Sequence, residues 1–178
     1  ATPLEKKSLP CGKSIEERVH LVYSVFPLET PIYTPKLYLT ATEKKYSKLD
    51  YYSKPVIMVG VLGSTPQKSM PYSYIVKLID YVTSNFEVNI LFNYGPYQKA
   101  EAIKIYEVCK HKDAIIFDIY ESNIRGFISL MNQCKLLIAN EGGSVHIAKA
   151  LDKPTFTIFS PYVLKSDWGS FEDGKQHT

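Results

Sequence analysis

The fold of this chain is decided by one short apolar run, Val56-Ile57-Met58-Val59-Gly60-Val61-Leu62, which passes directly into a polar loop at residues 63–71. A run that is apolar at every position is typical of a strand covered by helices on both faces of a sheet. An amphipathic stretch at residues 72–84 follows the loop and is long enough for a helix. This order of strand, loop and helix is the repeating unit of α/β proteins.

The same unit repeats along the chain. Four more short apolar runs lie at residues 88–92, 114–119, 136–139 and 155–159. Stretches of helical length lie between them, at residues 98–110, 124–134 and 144–151. Strands that alternate with helices of this length favour right-handed crossovers and a parallel sheet. The pattern therefore predicts the α/β class, with a Rossmann-like open parallel sheet of about five strands.

Residues 1–54 have a different character. Three prolines between residues 27 and 35 interrupt this segment, which shows no sustained strand alternation. A capping box at residues 14–17 predicts a short helix that runs to about Phe26. We therefore expect an interdomain linker with one short helix, followed by a folded domain over residues 55–178. Because the chain opens on a polar, proline-containing stretch without an initiator Met, we also expect it to be a fragment.

Composition narrows the class of ligand. The 178 residues are 45% hydrophobic and carry a formal net charge of +3, with a pI of about 8.6. This charge is too mild to predict nucleic-acid binding, but it suits an anionic small molecule. The cysteines, Cys11, Cys109 and Cys134, lack the spacing of a disulfide framework or a zinc site. Since no stretch approaches the roughly 20 apolar residues of a transmembrane helix, we expect a cytoplasmic protein without a transmembrane segment.

Ligands of open parallel sheets bind at the carboxyl ends of the strands, so the loops that leave the strands are candidate sites. In the first loop, the hydroxyls of Ser64 and Thr65 and the ammonium group of Lys68 precede a helix N-terminus. Hydroxyls, a cation and free helix amides together suit a diphosphate. An ordinary polar turn with a solvated lysine explains the same residues equally well. The two common phosphate-binding glycine motifs, of the Walker and dinucleotide types, are absent.

Two further loops differ in what they offer. A Gly-Pro turn accounts for the sequence of residues 93–97, and packing accounts for the two tyrosines in it. In the loop at residues 140–146, the glycines at positions 142 and 143 allow a ligand to approach the backbone closely at a helix start, and Glu141 could accept hydrogen bonds from sugar hydroxyls. The alternative is structural, with Glu141 stabilising the helix N-terminus and His146 half-buried with its partners satisfied.

Taken together, these loops resemble glycosyltransferase family 9, the ADP-heptose:lipopolysaccharide heptosyltransferases. The family's small and hydroxyl residues followed by Lys-x-Trp-Pro are similar to residues 64–71. Its Gly-Gly-Pro-x-Glu turn is similar to residues 94–96 with Glu101. Its hallmark Asn-Asp-Ser-Gly-Pro-Met-His-Leu-Ala-x-Ala is similar to residues 140–150, and its later Pro-Thr and Phe-Gly-Pro motifs are similar to parts of residues 154–161.

The resemblance implies a GT-B glycosyltransferase, of which this chain is the C-terminal, nucleotide-sugar-binding half. It implies that Ser64, Thr65 and Lys68 hold the diphosphate of the donor. It also implies that Glu141, Gly142 and Gly143 meet the sugar or the phosphates. The hallmark motif adds two more residues to the implied donor site: Ser144 and His146.

The resemblance also implies a reaction. Heptose is transferred with inversion from ADP-heptose to a lipopolysaccharide-core or other glycan acceptor, without a metal or other cofactor, because a lysine and helix amides can neutralise the leaving diphosphate. The acceptor and the catalytic base belong to the family's N-terminal domain, so we assign no catalytic residue and expect this chain alone to be inactive. Loose attachment to the inner membrane follows from the family as well.

The chain departs from the family pattern at six positions: Met70, Glu141, Gly142, Ser144, Val145 and Ser160. These differences leave another nucleotide sugar open as the donor. They also leave open a different GT-B enzyme such as a nucleotide-sugar epimerase, a standalone nucleotide-binding module, or a degenerate glycosyltransferase that only binds. A regulatory flavodoxin-like domain would require acidic residues after the first strand. Residues 63–65 contain none, so the sequence does not favour this alternative.

Overall fold

The computed structural model describes residues 14–26, 34–163, 165–169 and 176–177. Six strands in these residues form one sheet: β1 (Val56–Gly60), β2 (Asn89–Asn93), β3 (Ile115–Ile116), β4 (Leu136–Asn140), β5 (Thr155–Ile158) and β6 (Gln176–His177). Seven α-helices accompany them: α1 (Ser14–Val25), α2 (Ala41–Lys44), α3 (Tyr72–Asn85), α4 (Lys99–Val108), α5 (Ile124–Gln133), α6 (Gly143–Ala150) and α7 (Lys165–Trp168).

The strands pair in parallel, in the order β3-β2-β1-β4-β5-β6. β1 lies in the interior of the sheet, where Val59 is in register with Phe92 of β2 and with Ile138 of β4. The predicted Rossmann-like open parallel sheet is therefore confirmed. The sequence does not predict β6, because a strand of two residues is too short to show a periodic pattern.

The predicted helices agree with α3 to α6 within two residues at each end, and α1 lies where the linker helix is predicted. The side chain of Ser14, the predicted N-cap of α1, lies outside the described residues, so the capping box stays a prediction. The strand predicted over residues 114–119 is wrong at its end, because only Ile115 and Ile116 pair in the sheet. Phe117 leaves the sheet edge, and its ring stacks against Tyr94 at a centroid distance of 5.6 Å.

Two apolar clusters cover opposite faces of the sheet. The first contains Val59 and Ile90 together with residues of α3 and α4. The second contains Met58 and Leu91 together with residues of α5 and α6. Because successive side chains of a strand point to opposite faces, the neighbours Met58 and Val59 belong to different clusters. The sheet is buried on both sides, as its continuous apolar strands predict.

Part of the predicted linker packs onto the domain. Leu49 is 5% exposed and belongs to the second apolar cluster. α2 places Glu43 in an ion pair with Arg125 of α5. Residues 34–54 therefore add a layer to the sheet domain, and the division of the chain at residue 55 stays a prediction.

Gly60 lies where β1 and β4 approach closely. A Cβ on Gly60 would lie 2.9 Å from the Ala139 Cβ, closer than such carbons approach in folded proteins. We expect Gly60→Ala to lower the free energy of unfolding by about 1–3 kcal/mol, measured by urea unfolding, because overpacking displaces the strands. Gly143→Ala is the matched control, since a Cβ there meets no heavy atom within 4 Å. Equal losses in the two variants would contradict the close approach.

Candidate functional site

A cleft of about 430 Å³ lies at the carboxyl edge of the sheet. The loops that follow β1, β2, β3 and β4 all contribute to its lining. Its volume suits a small-molecule ligand. The cleft lies where open parallel sheets bind ligands, because the strand order reverses between the two neighbours of β1.

The loop after β1 curls back on itself. The Ser69 hydroxyl accepts a hydrogen bond from the Gly63 amide at 2.9 Å and donates one to the Thr65 carbonyl oxygen at 2.9 Å. A Cβ on Gly63 would lie 2.4 Å from the Lys68 carbonyl oxygen, so the turn requires glycine. As a result Ser64 lines the cleft, whereas Thr65 is exposed and does not line it.

Lys68 and Glu141 form an ion pair that joins the loops after β1 and β4. The Lys68 Nζ lies 3.2 Å from the Glu141 Oε2, and the two side chains are 39% and 12% exposed. Glu141 lines the cleft, and Lys68 reaches the cleft only through this contact. Because each charge neutralises the other, an incoming anion has to compete with Glu141 for Lys68.

Gln98 connects the loops after β1 and β2. Its Nε2 donates to the Gly63 carbonyl oxygen at 2.7 Å, and its Oε1 accepts from the Gly95 amide at 2.7 Å. Gln98 lines the cleft, whereas Glu101 lies on α4 and does not line it. Gln98, and not Glu101, is therefore the side chain after this turn that lines the cleft, and the sequence signal for it is its place two residues after the Gly-Pro turn.

The loop after β3 forms a wall of the cleft that the sequence does not predict. Glu121, Ser122 and Asn123 all line the cleft. The Glu121 Oε1 accepts hydrogen bonds from the Lys48 Nζ at 2.5 Å and from the Tyr46 hydroxyl at 2.6 Å. These two donors, with Lys48 the stronger, hold the pKa of Glu121 below its ordinary value in spite of partial burial.

One signal in the sequence could have revealed this loop. The Asn123 Oδ1 accepts from the Gly126 amide at 2.8 Å and caps the N-terminus of α5. Asparagine is a preferred N-cap residue, so it marks the loop's end. The loop's beginning is concealed because Phe117 and Ile119 are strand-favouring residues that continue the apolar pattern of β3 on either side of Asp118.

Three aromatic rings stack beside this wall. The Tyr94 ring centroid lies 5.6 Å from that of Phe117 and 5.4 Å from that of Tyr120. Tyr94 is 8% exposed, and burial raises the pKa of its hydroxyl. The sequence attributes the tyrosines of the second loop to packing, which describes Tyr94 but not Tyr97, which is 99% exposed.

The loop after β4 brings the start of α6 to the cleft. Gly142, Gly143 and Ser144 line the cleft, and no side chain in the described part of the chain caps the first turn of the helix. The free amides of a helix start attract anions. Asn140 ties this loop to the first one, since its Oδ1 accepts from the Met70 amide at 3.2 Å.

His146 lies on α6 but does not line the cleft. Its ring centroid lies 6.4 Å from that of Trp168. Burial, and to a smaller extent the charge of Lys149, lowers the pKa of His146, while Glu141 opposes the shift. The ring is therefore neutral at pH 7, and its role in donor binding stays a prediction.

Five of the predicted site residues thus meet in the cleft lining: Ser64, Glu141, Gly142, Gly143 and Ser144. The sequence profile of glycosyltransferase family 9 (heptosyltransferase) matches residues 7–165. The chain belongs to glycosyltransferase family 9. The family resemblance of its loops is thereby confirmed.

Solved structures share the fold of this family 9 chain. A glycosyltransferase family 9 structure from Veillonella parvula superposes with a TM-score of 0.76 at 15% identity, over 96% of this chain and 49% of that one. E. coli ADP-heptose lipopolysaccharide heptosyltransferase II superposes with a TM-score of 0.69 at 16% identity, over 84% of this chain and 46% of that one. E. coli heptosyltransferase WaaC with ADP-2-deoxy-2-fluoro heptose superposes with a TM-score of 0.57 at 16% identity, over 70% of this chain and 36% of that one.

These likenesses show the fold, since the identities are too low to carry more. The chain spans 49%, 46% and 36% of the lengths of these three solved structures, so it corresponds to half of each or less. Their shared architecture is the α/β sheet domain of a GT-B glycosyltransferase. A sequence comparison with the curated proteins found no match.

Other features of the described residues bear on ligand class. No helix in the described part of the chain is long and apolar enough to cross a membrane. Within the same residues, no cluster of three or more His, Cys, Asp or Glu side chains is placed to hold a metal ion. Cys109 and Cys134 are buried free thiols, and burial raises their pKa values to about 11 and about 12, so both are protonated at neutral pH. Cys11 lies outside the described residues.

The contacts of Glu121 predict a pH-dependent stability. Because its folded pKa is below the ordinary value of 4.5, its contribution is present above pH 4.5 and is lost as the pH falls through the folded pKa. We expect Glu121→Gln to lower the free energy of unfolding by about 0.5–1.5 kcal/mol at pH 7 and by less at pH 3, in urea titrations. Glu87→Gln is the control, since Glu87 is 88% exposed in its ion pair with Lys54. A loss for Glu121→Gln that is the same at both pH values would refute this account.

Proposed function

We propose that this chain is the donor-binding half of an inverting glycosyltransferase and that its cleft binds ADP-heptose. The observation that carries the proposal is the meeting of the Lys68–Glu141 pair with the uncapped start of α6 at one edge of the sheet. A cation and free helix amides suit a diphosphate, and a carboxylate beside them suits sugar hydroxyls. Membership of family 9 and the solved heptosyltransferase with an ADP-heptose analogue support this donor class.

In this proposal the diphosphate lies between the loop after β1 and the first turn of α6. The Ser64 hydroxyl donates a hydrogen bond to the diphosphate, and Lys68 leaves its ion pair with Glu141 to bind the phosphates. Gly142 and Gly143 let the phosphates approach the backbone, since a Cβ on Gly143 would project into open space. The released Glu141 carboxylate accepts a hydrogen bond from a sugar hydroxyl.

The remaining predicted residues differ in their relation to this position. Ser144 adds a hydroxyl on the same turn of α6, at the cleft. Thr65 and His146 do not line the cleft, so in this proposal they act from its surroundings. Thr65 precedes the short helical turn that carries Lys68, and His146 packs against Trp168.

The reaction follows from these contacts. A base takes the proton of an acceptor hydroxyl, the oxygen attacks the anomeric carbon, and the nucleoside diphosphate leaves with the bonding electrons. Lys68 and the amides of α6 neutralise the charge that develops on the leaving diphosphate, so the proposal requires no metal. We assign the base and the acceptor, a lipopolysaccharide core, to the other half of the enzyme, in the cytoplasm at the inner membrane.

Nucleotide titration tests the donor site. We expect ADP and ADP-heptose to bind more tightly than UDP or GDP in calorimetry. Lys68→Ala should weaken ADP binding by about 1.5–3 kcal/mol, the range for a hydrogen bond to a charged group. Lys77→Ala, on the exposed surface of α3, is the matched control and should leave ADP binding unchanged.

If the chain binds no nucleotide, a second candidate function is favoured, that of a degenerate glycosyltransferase domain. Because Glu141 already neutralises Lys68 at 3.2 Å, a degenerate domain could keep this pair closed permanently. Failure of all four nucleotides to bind would contradict the donor-site proposal and support this alternative.

Glu141→Ala separates the two roles given to Glu141. Removing the carboxylate frees Lys68, so ADP should bind up to about fivefold more tightly, the contribution of a partly exposed ion pair. ADP-heptose should not share this gain, because the variant also removes the acceptor for a sugar hydroxyl. The measurement is the ratio of the two dissociation constants. An equal change for both ligands would show that Glu141 only neutralises Lys68.

A further inference from the structure

Asn140 ends β4 with an amide whose two polar atoms differ in their contacts. The residue is 7% exposed and is among those that line the cleft. Its Oδ1 accepts a hydrogen bond from the Met70 backbone amide at 3.2 Å. Its Nδ2 is hidden from solvent and has no hydrogen-bond partner among the described residues.

Chemistry fixes the orientation of this amide. The Met70 backbone N–H can only donate, so the oxygen of Asn140 has to face it and the nitrogen has to face another direction. Buried N–H groups without an acceptor are rare in folded proteins, because nothing replaces the water that they lose on folding. Asn140 therefore presents a donor to which the described protein residues supply no acceptor.

The surroundings of Asn140 favour an acceptor that is an anion. The first turn of α6 begins three residues further along the chain, and no side chain among the described residues caps its amides. Gly142 and Gly143 place no side chain over this turn, and a Cβ on Gly143 would meet no heavy atom within 4 Å. The helix start and the Asn140 amide thus both offer N–H donors in the segment that follows β4. Since Lys68 is already paired with Glu141, an anion can contact these neutral N–H groups without first breaking an ion pair.

We infer that the Asn140 Nδ2, which is hidden from solvent while Lys68 is paired with Glu141, becomes accessible when this pair opens and then donates a hydrogen bond to a phosphate oxygen of a nucleoside diphosphate bound at the first turn of α6. This inference rests on the proposed function and adds a ligand-contacting residue to which the sequence motifs assign no role. The phosphate oxygen supplies the acceptor that the protein lacks, while the Met70 contact holds the amide in place. Asn140 therefore links both phosphate-binding loops to the ligand.

Asn140→Asp tests the inference, because it keeps the oxygen for Met70 and exchanges the donor for an acceptor. We expect ADP affinity in calorimetry to fall about 10- to 100-fold, the range for a hydrogen bond to a charged group. The affinity for adenosine, which has no phosphate, should not change. Thr157→Val is the matched control, since the Thr157 Oγ1 is also buried without a partner among the described residues but does not line the cleft. Its ADP affinity should stay within about twofold of wild type.

An NMR titration of the ¹⁵N-labelled wild-type chain keeps the test independent of how the variant folds. Adding ADP should shift the assigned Asn140 side-chain amide signals more than those of Asn85, whose amide donates to the Tyr81 carbonyl oxygen on α3. If ADP binds but neither the Asn140 signals nor the Asn140→Asp affinity responds, the inference is overturned and the proposed function stands. If the wild-type chain binds no nucleotide, both are overturned.

Discussion

The parallel pairing of β1 with β4 is the contact on which the site depends. After β1 the chain moves outward through β2 and β3 and then crosses back, so that β4 lies on the other side of β1. The helices after β1 and β4 pack on opposite faces of the sheet, so their loops part at the shared edge and the cleft opens between them. Gly60 permits this pairing, because a larger residue would collide with Ala139.

Charge within the cleft is balanced before any ligand arrives. Lys68 and Glu141 face each other across the parted loops, and Asn140 joins the same loops through the Met70 amide. A ligand that enters between them meets a paired cation, a paired carboxylate and several uncommitted N–H groups. An anion can contact these N–H groups directly, but it gains the charge of Lys68 only if it competes with Glu141, so in the proposed donor site phosphate affinity and sugar recognition would be coupled through Glu141.

The wall of the cleft depends on a segment that precedes the sheet. Tyr46 and Lys48 hold Glu121, and Glu43 holds Arg125 at the start of α5. Residues that the composition assigns to a linker therefore set the position of the loop after β3. In a two-domain glycosyltransferase this segment would carry the connection between the halves, so the same contacts give the connection a physical route to the donor site.

The sequence by itself determined the alternation of strands and helices, because each apolar run of a parallel sheet has to be covered on both faces. It also determined the phosphate-loop candidates around Lys68 and Gly143, because each of these motifs is contiguous in the chain. Only the tertiary structure decided that Lys68 contacts Glu141, 73 residues away, and that Tyr46 contacts Glu121, 75 residues away. Strand order sets which loops meet, and a local pattern carries no information about strand order.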